Sequence, residues 1–199
     1  MDKTQLPTNF IKHTTKNPLQ KLLINNFYST LVSLAKPINP NTVLDAGCGE
    51  GFTLNKLMSN NIGKSIEGVE YTKEAITLGK KLFPKAKIKS GSIYELPYKN
   101  NSFDLVICTE VLEHMEYPQK ALLEALRVSK KHIILSVPNE PFFRIANLLT
   151  GKYVNEFGNS PGHINHWTFF SFQDFIKKRG IKITKIKLPF PWIIVLAEK

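Results

Sequence analysis

Two carboxylates, with a glycine run after the first and the second about 20 residues past that run, are the most chemically loaded feature of the chain. In Val43-Leu44-Asp45-Ala46-Gly47-Cys48-Gly49-Glu50-Gly51 an apolar run ends in glycines spaced Gly-x-Gly-x-Gly. Glycines let a backbone approach a ligand without Cβ obstruction, and a helix that follows offers its first amides to a polar group. Asp45, just ahead of the loop, has a charge suited to a cationic amine. Glu70 ends the next apolar run, where a carboxylate accepts two ribose hydroxyls. A glycine loop alone leaves dinucleotide enzymes in play, because they use the same device with a different spacing.

A second group lies further along. Glu110, Glu113 and His114 stand at i, i+3 and i+4, which predicts one face of a helical turn. His163 and His166 follow in a segment rich in aromatic, Gly and Asn residues. Carboxylate and imidazole together can abstract a proton, hold a divalent ion, or simply satisfy buried hydrogen bonds. We take His114, His163 and Glu110 as the catalytic set, with a histidine as general base and no bound metal. A rate rising with pH through about 6.5 is then expected, because only neutral imidazole accepts a proton.

These groups need elements to hold them. Apolar spacing predicts an amphipathic helix over Leu19–Ala35, ended by Pro37 and Pro40. Strands follow at Thr42–Ala46, Ser65–Glu70, Ala86–Lys89, Phe103–Cys108 and His132–Val137, with helices at Phe52–Asn60, Lys73–Phe83 and about Pro118–Val128. This alternation predicts an α/β fold: a doubly wound, mainly parallel Rossmann-like sheet with helices on both faces. Ligands then bind at the strand C-termini. Beyond Pro138 a long loop is expected to about Thr168, then a helix (Phe172–Lys178). Two runs, Ile181–Leu188 and Trp192–Ala197, should form an antiparallel pair at the sheet edge.

With those residues placed, Val43–Gly51 resembles motif I of the class I S-adenosylmethionine-dependent methyltransferases. Phe103–His114 resembles the corresponding block of the quinone-biosynthesis-type (methyltransferase type 11) relatives. The resemblance implies S-adenosylmethionine as cofactor. It places Asp45 at the methionine amino group, Ala46, Gly47 and Gly49 along the methionyl part, and Glu70 at the ribose. Tyr71, Ser92 and Ile93 would lie about the adenine, and Thr109 near the methyl group. Many relatives carry Asp where this chain has Ser92. The set Glu110, Glu113 and His114 with a later histidine also resembles the metal site of small-RNA 2′-O-methyltransferases. The loop His163-Ile164-Asn165-His166-Trp167 and the Pro189-Phe190-Pro191-Trp192 edge resemble bacterial members of the superfamily. Phe142, Phe143, Tyr153, Phe157 and Trp167 could form an apolar lid, and His13 and Lys16 could touch the acceptor.

Composition bounds the rest. The 199 residues suit one methyltransferase domain, with 1–37 as an N-terminal helical lid, 40–137 as cofactor core, and 138–199 as acceptor loop and C-terminal strands. Two cysteines, Cys48 and Cys108, support neither a disulfide framework nor a four-ligand zinc site. The polar start Met1–Gln5 and the lack of a run near ~20 apolar residues predict a cytoplasmic chain. The net charge of +11 comes from scattered lysines and is expected to serve solubility more than a nucleic-acid or membrane partner. The expected acceptor is a small molecule, lipid or glycan precursor. RNA with a divalent metal is the alternative, and a non-catalytic binding domain is the third reading.

Overall fold

Strand β1 (Thr42–Ala46) forms where Val43, Leu44 and Ala46 can all leave water, and each is fully buried. The computed structural model describes residues 8–199; Met1–Gln5 lies outside them. Around β1 the elements run in chain order. They are α1 (Thr8–His13), α2 (Pro18–Ala35), α3 (Phe52–Ser59), β2 (Ser65–Glu70), α4 (Lys73–Leu82), β3 (Lys87–Ser90), β4 (Phe103–Thr109), α5 (Pro118–Val128), β5 (Ser129–Pro138), α6 (Phe142–Leu149), α7 (Phe169–Lys177), β6 (Lys182–Lys187) and β7 (Trp192–Glu198).

The strands form one sheet in the order β3-β2-β1-β4-β5-β7-β6. β1 to β5 are parallel, and β7 is antiparallel to both β5 and β6. The α/β doubly wound class is therefore as the sequence predicts. The last pair differs in one respect: β7 lies inside the sheet and only β6 is an edge. The cause is composition. Trp192-Ile193-Ile194-Val195-Leu196-Ala197 is apolar throughout and wholly buried, whereas Lys182-Ile183-Thr184-Lys185-Ile186-Lys187 puts lysines on an exposed edge.

Side chains alternate across the sheet. Leu44, Val106 and Cys108 pack under α5 and α7, while Val43, Leu105 and Ile107 pack under α2 and α3. Between β1 and β4 the strand order reverses, which opens a crevice at their C-terminal ends. α2 is capped by Asn17, whose side chain accepts from the amides of Leu19 and Gln20.

Two local readings needed correction. The stretch taken as a loop after Pro138 contains α6, which buries none of its eight residues and has no side-chain N-cap; its pattern is too short to separate from an apolar loop. Helix α7 starts at Phe169, ahead of Phe172, because Thr168 and Ser171 form a reciprocal cap.

Candidate active site

The crevice begins at the end of β1. Gly47 has φ +83°, and a Cβ there would come within 2.6 Å of Val111 Cγ2. The turn after Ala46 thus needs glycine both for its backbone and for the close approach of the loop after β4. Gly47 and Cys48 donate backbone hydrogen bonds to Val69 O, which ties the loop to β2. Glu70 completes the tie: Oε2 accepts from Gly49 N at 2.9 Å and Oε1 from Thr72 N at 2.8 Å. Asp45 is fully buried, and its Oδ2 has no hydrogen-bond partner among the described residues. Burial, and then the charge of Glu70, push its carboxyl up to about 8. A buried acid with an orphaned oxygen is costly unless a donor or cation arrives.

From this loop a cavity of about 610 Å³ runs past Thr109 to His114, His163 and Trp192. Gly47, Gly49, Glu70, Tyr71, Ile93 and Thr109 line it. Asp45 and Ala46 sit behind the lining, Ala46 wholly within the core. Tyr71 is 78% exposed at the mouth. Ser92 stays outside the lining, and its hydroxyl accepts from Tyr94 N at 3.1 Å.

The second group of residues does not form the helical face expected of it. Glu110 takes a left-handed backbone (φ +57°), and only Leu112–His114 make a short 3₁₀ turn. Glu110 therefore parts company with Glu113 and His114. Its Oε2 accepts from Trp192 Nε1 at 2.6 Å and meets Lys12 Nζ at 3.3 Å, and its Oε1 accepts from Ser136 Oγ at 3.2 Å. Thus engaged, it is a poor general base.

Glu113, His114 and His163 do meet: one ligand atom from each lies within 4.8 Å of the others. The far loop is fastened to the β4 loop by its own polar groups. Ile164 N and Asn165 N donate to Glu113 O, and Asn165 Nδ2 donates to Leu112 O and Met115 O. His114 Nδ1 lies 2.9 Å from Gly162 O. A carbonyl can only accept, so Nδ1 carries a proton and Nε2 of the neutral ring keeps its lone pair. The His163 ring stands edge-on to His114 at 4.8 Å, and burial, helped by the charge of His114, lowers its pKa to about 3. His163 is accordingly neutral across the ordinary pH range, so the rate limb expected near 6.5 does not belong to it. Both Glu113 oxygens are buried without a hydrogen-bond partner among the described residues, and burial, with Glu110 next, raises this carboxyl well above its ordinary range.

The family described as "Methyltransferase domain" matches residues 44–136, the span that carries Asp45, Glu70, Glu110, Glu113 and His114. The mitochondrial ubiquinone biosynthesis O-methyltransferase of Candida albicans is 34% identical over 123 residues, covering 57% of this chain and 37% of that one. The chain spans 37–40% of the length of the first curated relatives it matches. The magnesium protoporphyrin IX methyltransferase of Synechocystis, solved with bound S-adenosylhomocysteine, matches at TM-score 0.66 and 17% identity over 96% of this chain and 94% of that one. A small-RNA methyltransferase matches at TM-score 0.73 and 22% identity, over 88% of this chain and 25% of that one. Residues 44–136 are accordingly similar to the methyltransferase domains of S-adenosylmethionine-dependent enzymes.

Helices α1, α2 and α6 line the end of the cavity away from the glycine loop. His13 stacks on Phe52 at 4.2 Å and lies 3.4 Å from the Tyr28 hydroxyl. Burial, then Lys12, lowers its pKa to about 3. Lys12 also sits 4.9 Å over the Trp192 ring. Of the aromatics expected in a lid, Phe143 and Tyr153 line the cavity, but Phe157 is 80% exposed and Phe142 lies outside it against Phe190. Trp167 is a core residue, 7% exposed and packed on Phe172 and Phe175. Lys16 and His166 lie outside the lining, and His166 Nε2 meets Asn159 Oδ1 at 2.9 Å. Lys12, Tyr28 and Trp192 hold positions at the site that their sequence spacing could not assign, because each comes from a different, distant element.

Proposed function

We propose that this chain methylates a small acceptor, a free small molecule or the head of a lipid or glycan precursor, held beside His114 and His163. The single observation that carries this reading is the cavity. It is continuous from the glycine loop to the histidine pair and walled by Phe27, Tyr28, Phe143 and Trp192. Such a chamber excludes water and fixes a nucleophile at short range, which is most of what an in-line displacement needs.

The cofactor supplies a methyl group activated on a sulfonium. The orphaned Asp45 oxygen fits its ammonium, and the glycine loop leaves room for the methionyl part. Glu70, already braced by two amides, has lone pairs left for the ribose hydroxyls. Gly91, Ile93 and Tyr71 would border the adenine, with Ser92 behind them. Thr109 stands where the methyl would point. The acceptor's proton would pass to a neutral imidazole, His163 or His114 Nε2, as the acceptor takes the methyl group. Glu113 would hold the resulting imidazolium by charge. Glu110 would act indirectly, by fixing Trp192 and Lys12 in the cavity wall.

A divalent cation with an RNA 2′-hydroxyl as acceptor is the second reading. It is favoured by one observation: Glu113, His114 and His163 offer mixed oxygen and nitrogen donors at ligand spacing, and the carboxyl oxygens have no hydrogen-bond partner among the described residues. A screen for transfer of labelled methyl groups to quinol, phenol, lipid, glycan-precursor and short-RNA acceptors, with and without chelator, separates the two. Transfer to a small acceptor that survives chelation supports the first. Transfer only to RNA, abolished by chelator and restored by Mg²⁺ or Mn²⁺, replaces it with the second.

A further inference from the structure

The cover of the cavity has a surface that the reaction does not use. Helix α6 is the sequence Phe-Phe-Arg-Ile-Ala-Asn-Leu-Leu, yet none of its residues is buried. Ile145, Leu148 and Leu149 face outward, Leu149 at 79% exposure, and Phe157 follows in the next loop at 80%. Leu19 and Leu22 of α2 are exposed as well. Both covers line one cavity, through Ile11 and Gln20 on one side and Asn147 and Thr150 on the other. Scattered apolar residues on a surface need no explanation, but Phe142, Ile145, Leu148 and Leu149, all exposed on one short helix that covers this cavity, mark a contact.

Charge selects the partner. Residues 8–35 and 141–157 contain Lys12, Lys16, Lys21, Arg144 and Lys152 against one acid, Glu156. Lys12 and Arg144 are paired with Glu110 and Glu140 and Lys152 lines the cavity, so Lys16 and Lys21 leave this surface positive. A second copy meeting this face in a twofold contact would set like charge against like. Exposed leucine and isoleucine gain nothing from a nucleic-acid backbone. An anionic bilayer satisfies both features: the apolar side chains enter the headgroup–acyl boundary while the lysines meet lipid phosphates.

We infer that α6 and the start of α2 form a docking surface for an anionic lipid membrane, which brings the cavity mouth to the bilayer and delivers an amphiphilic acceptor to it. The identity of the acceptor rests on the small-acceptor reading above; the docking itself does not.

The test is pelleting of the full chain with phosphatidylcholine vesicles, with and without phosphatidylglycerol. Binding should require phosphatidylglycerol, weaken with salt, and fall by about tenfold or more in the double variant L148E/L149E. Leu123→Glu, an exposed leucine on α5, should bind as the parent does. Unchanged affinity for S-adenosylhomocysteine in the double variant confirms that the fold persists, since neither leucine lines the cavity. Absence of parent binding, or equal binding by parent and double variant, overturns the inference. So does a dimer that the double variant loses while no vesicles are bound. Methyl transfer to a soluble acceptor without vesicle binding overturns docking and leaves the small-acceptor reading standing. Vesicle binding without transfer to any small acceptor does the reverse.

Discussion

The two ends of the cavity are built differently. The cofactor end is made by adjacent parallel strands, each delivering its polar residue at its own C-terminus: Asp45 from β1, Glu70 from β2, Thr109 from β4. Sheet register aligns them, with Asp45 opposite Gly68 and Ile107. The acceptor end is made by loops some 50 residues apart, joined by a few polar bonds: Asn165 to Leu112 O and Met115 O, and His114 to Gly162 O. One end is set by backbone pairing that survives loss of a side chain. The other is set by side chains, and each one matters to the geometry.

That contrast is open to attack from both ends. The largest effect should come from His163→Ala, with turnover falling by about 10²–10⁴ if the ring accepts the proton, while cofactor affinity stays within about twofold. Equal loss in both, measured by labelled-methyl transfer and by calorimetry with S-adenosylhomocysteine, would mean that the two ends are not separable.

At the other end, Asp45→Asn should weaken S-adenosylhomocysteine by roughly 10–150-fold, the scale of one charge-assisted bond. Its pH dependence gives a sharper signature. The free Asp45 carboxyl holds its proton below about 8, while an ammonium partner needs the carboxylate. Binding then releases a proton, so affinity should rise with pH by up to about tenfold per unit until about 8, and the Asn variant should lose that slope. A slope that persists in Asp45→Asn would place the titrating group elsewhere.

Smaller effects concern stability. Asn165→Ala removes the side-chain donor to Met115 O and one of the two donors to Leu112 O, and should cost about 1–3 kcal/mol in a denaturant titration, with turnover dropping more than cofactor affinity. A variant as stable and active as the parent would show that the loop is held by other contacts. Acid supplies the last test. His13 and His163 have folded pKa values near 3, below the unfolded 6.5. The unfolded chain therefore binds more protons between those values, and stability must fall as pH drops from about 6.5. Each histidine contributes up to about 1.4 kcal/mol per pH unit. His13→Phe should flatten part of that fall; an unchanged acid profile would remove His13 from the account.

By itself the sequence determined the strand–helix alternation and the glycine loop with its two carboxylates, on which the proposed cofactor end rests. Those signals are local: period-two and helical patterns, and two acids at the ends of neighbouring strands, Asp45 and Glu70, about 25 positions apart. It did not determine which of three acidic and basic neighbours would act together. Spacing put Glu110 with Glu113 and His114, but a left-handed backbone at Glu110 turned it toward Trp192 and Lys12. Spacing likewise made Trp167 a lid, while the packing of α7 took it into the core. The exposure of α6, the insertion of β7 and the meeting of His114 with His163 were also decided in three dimensions. Each depends on contacts between segments far apart in the chain, and such contacts leave no period in the sequence to read.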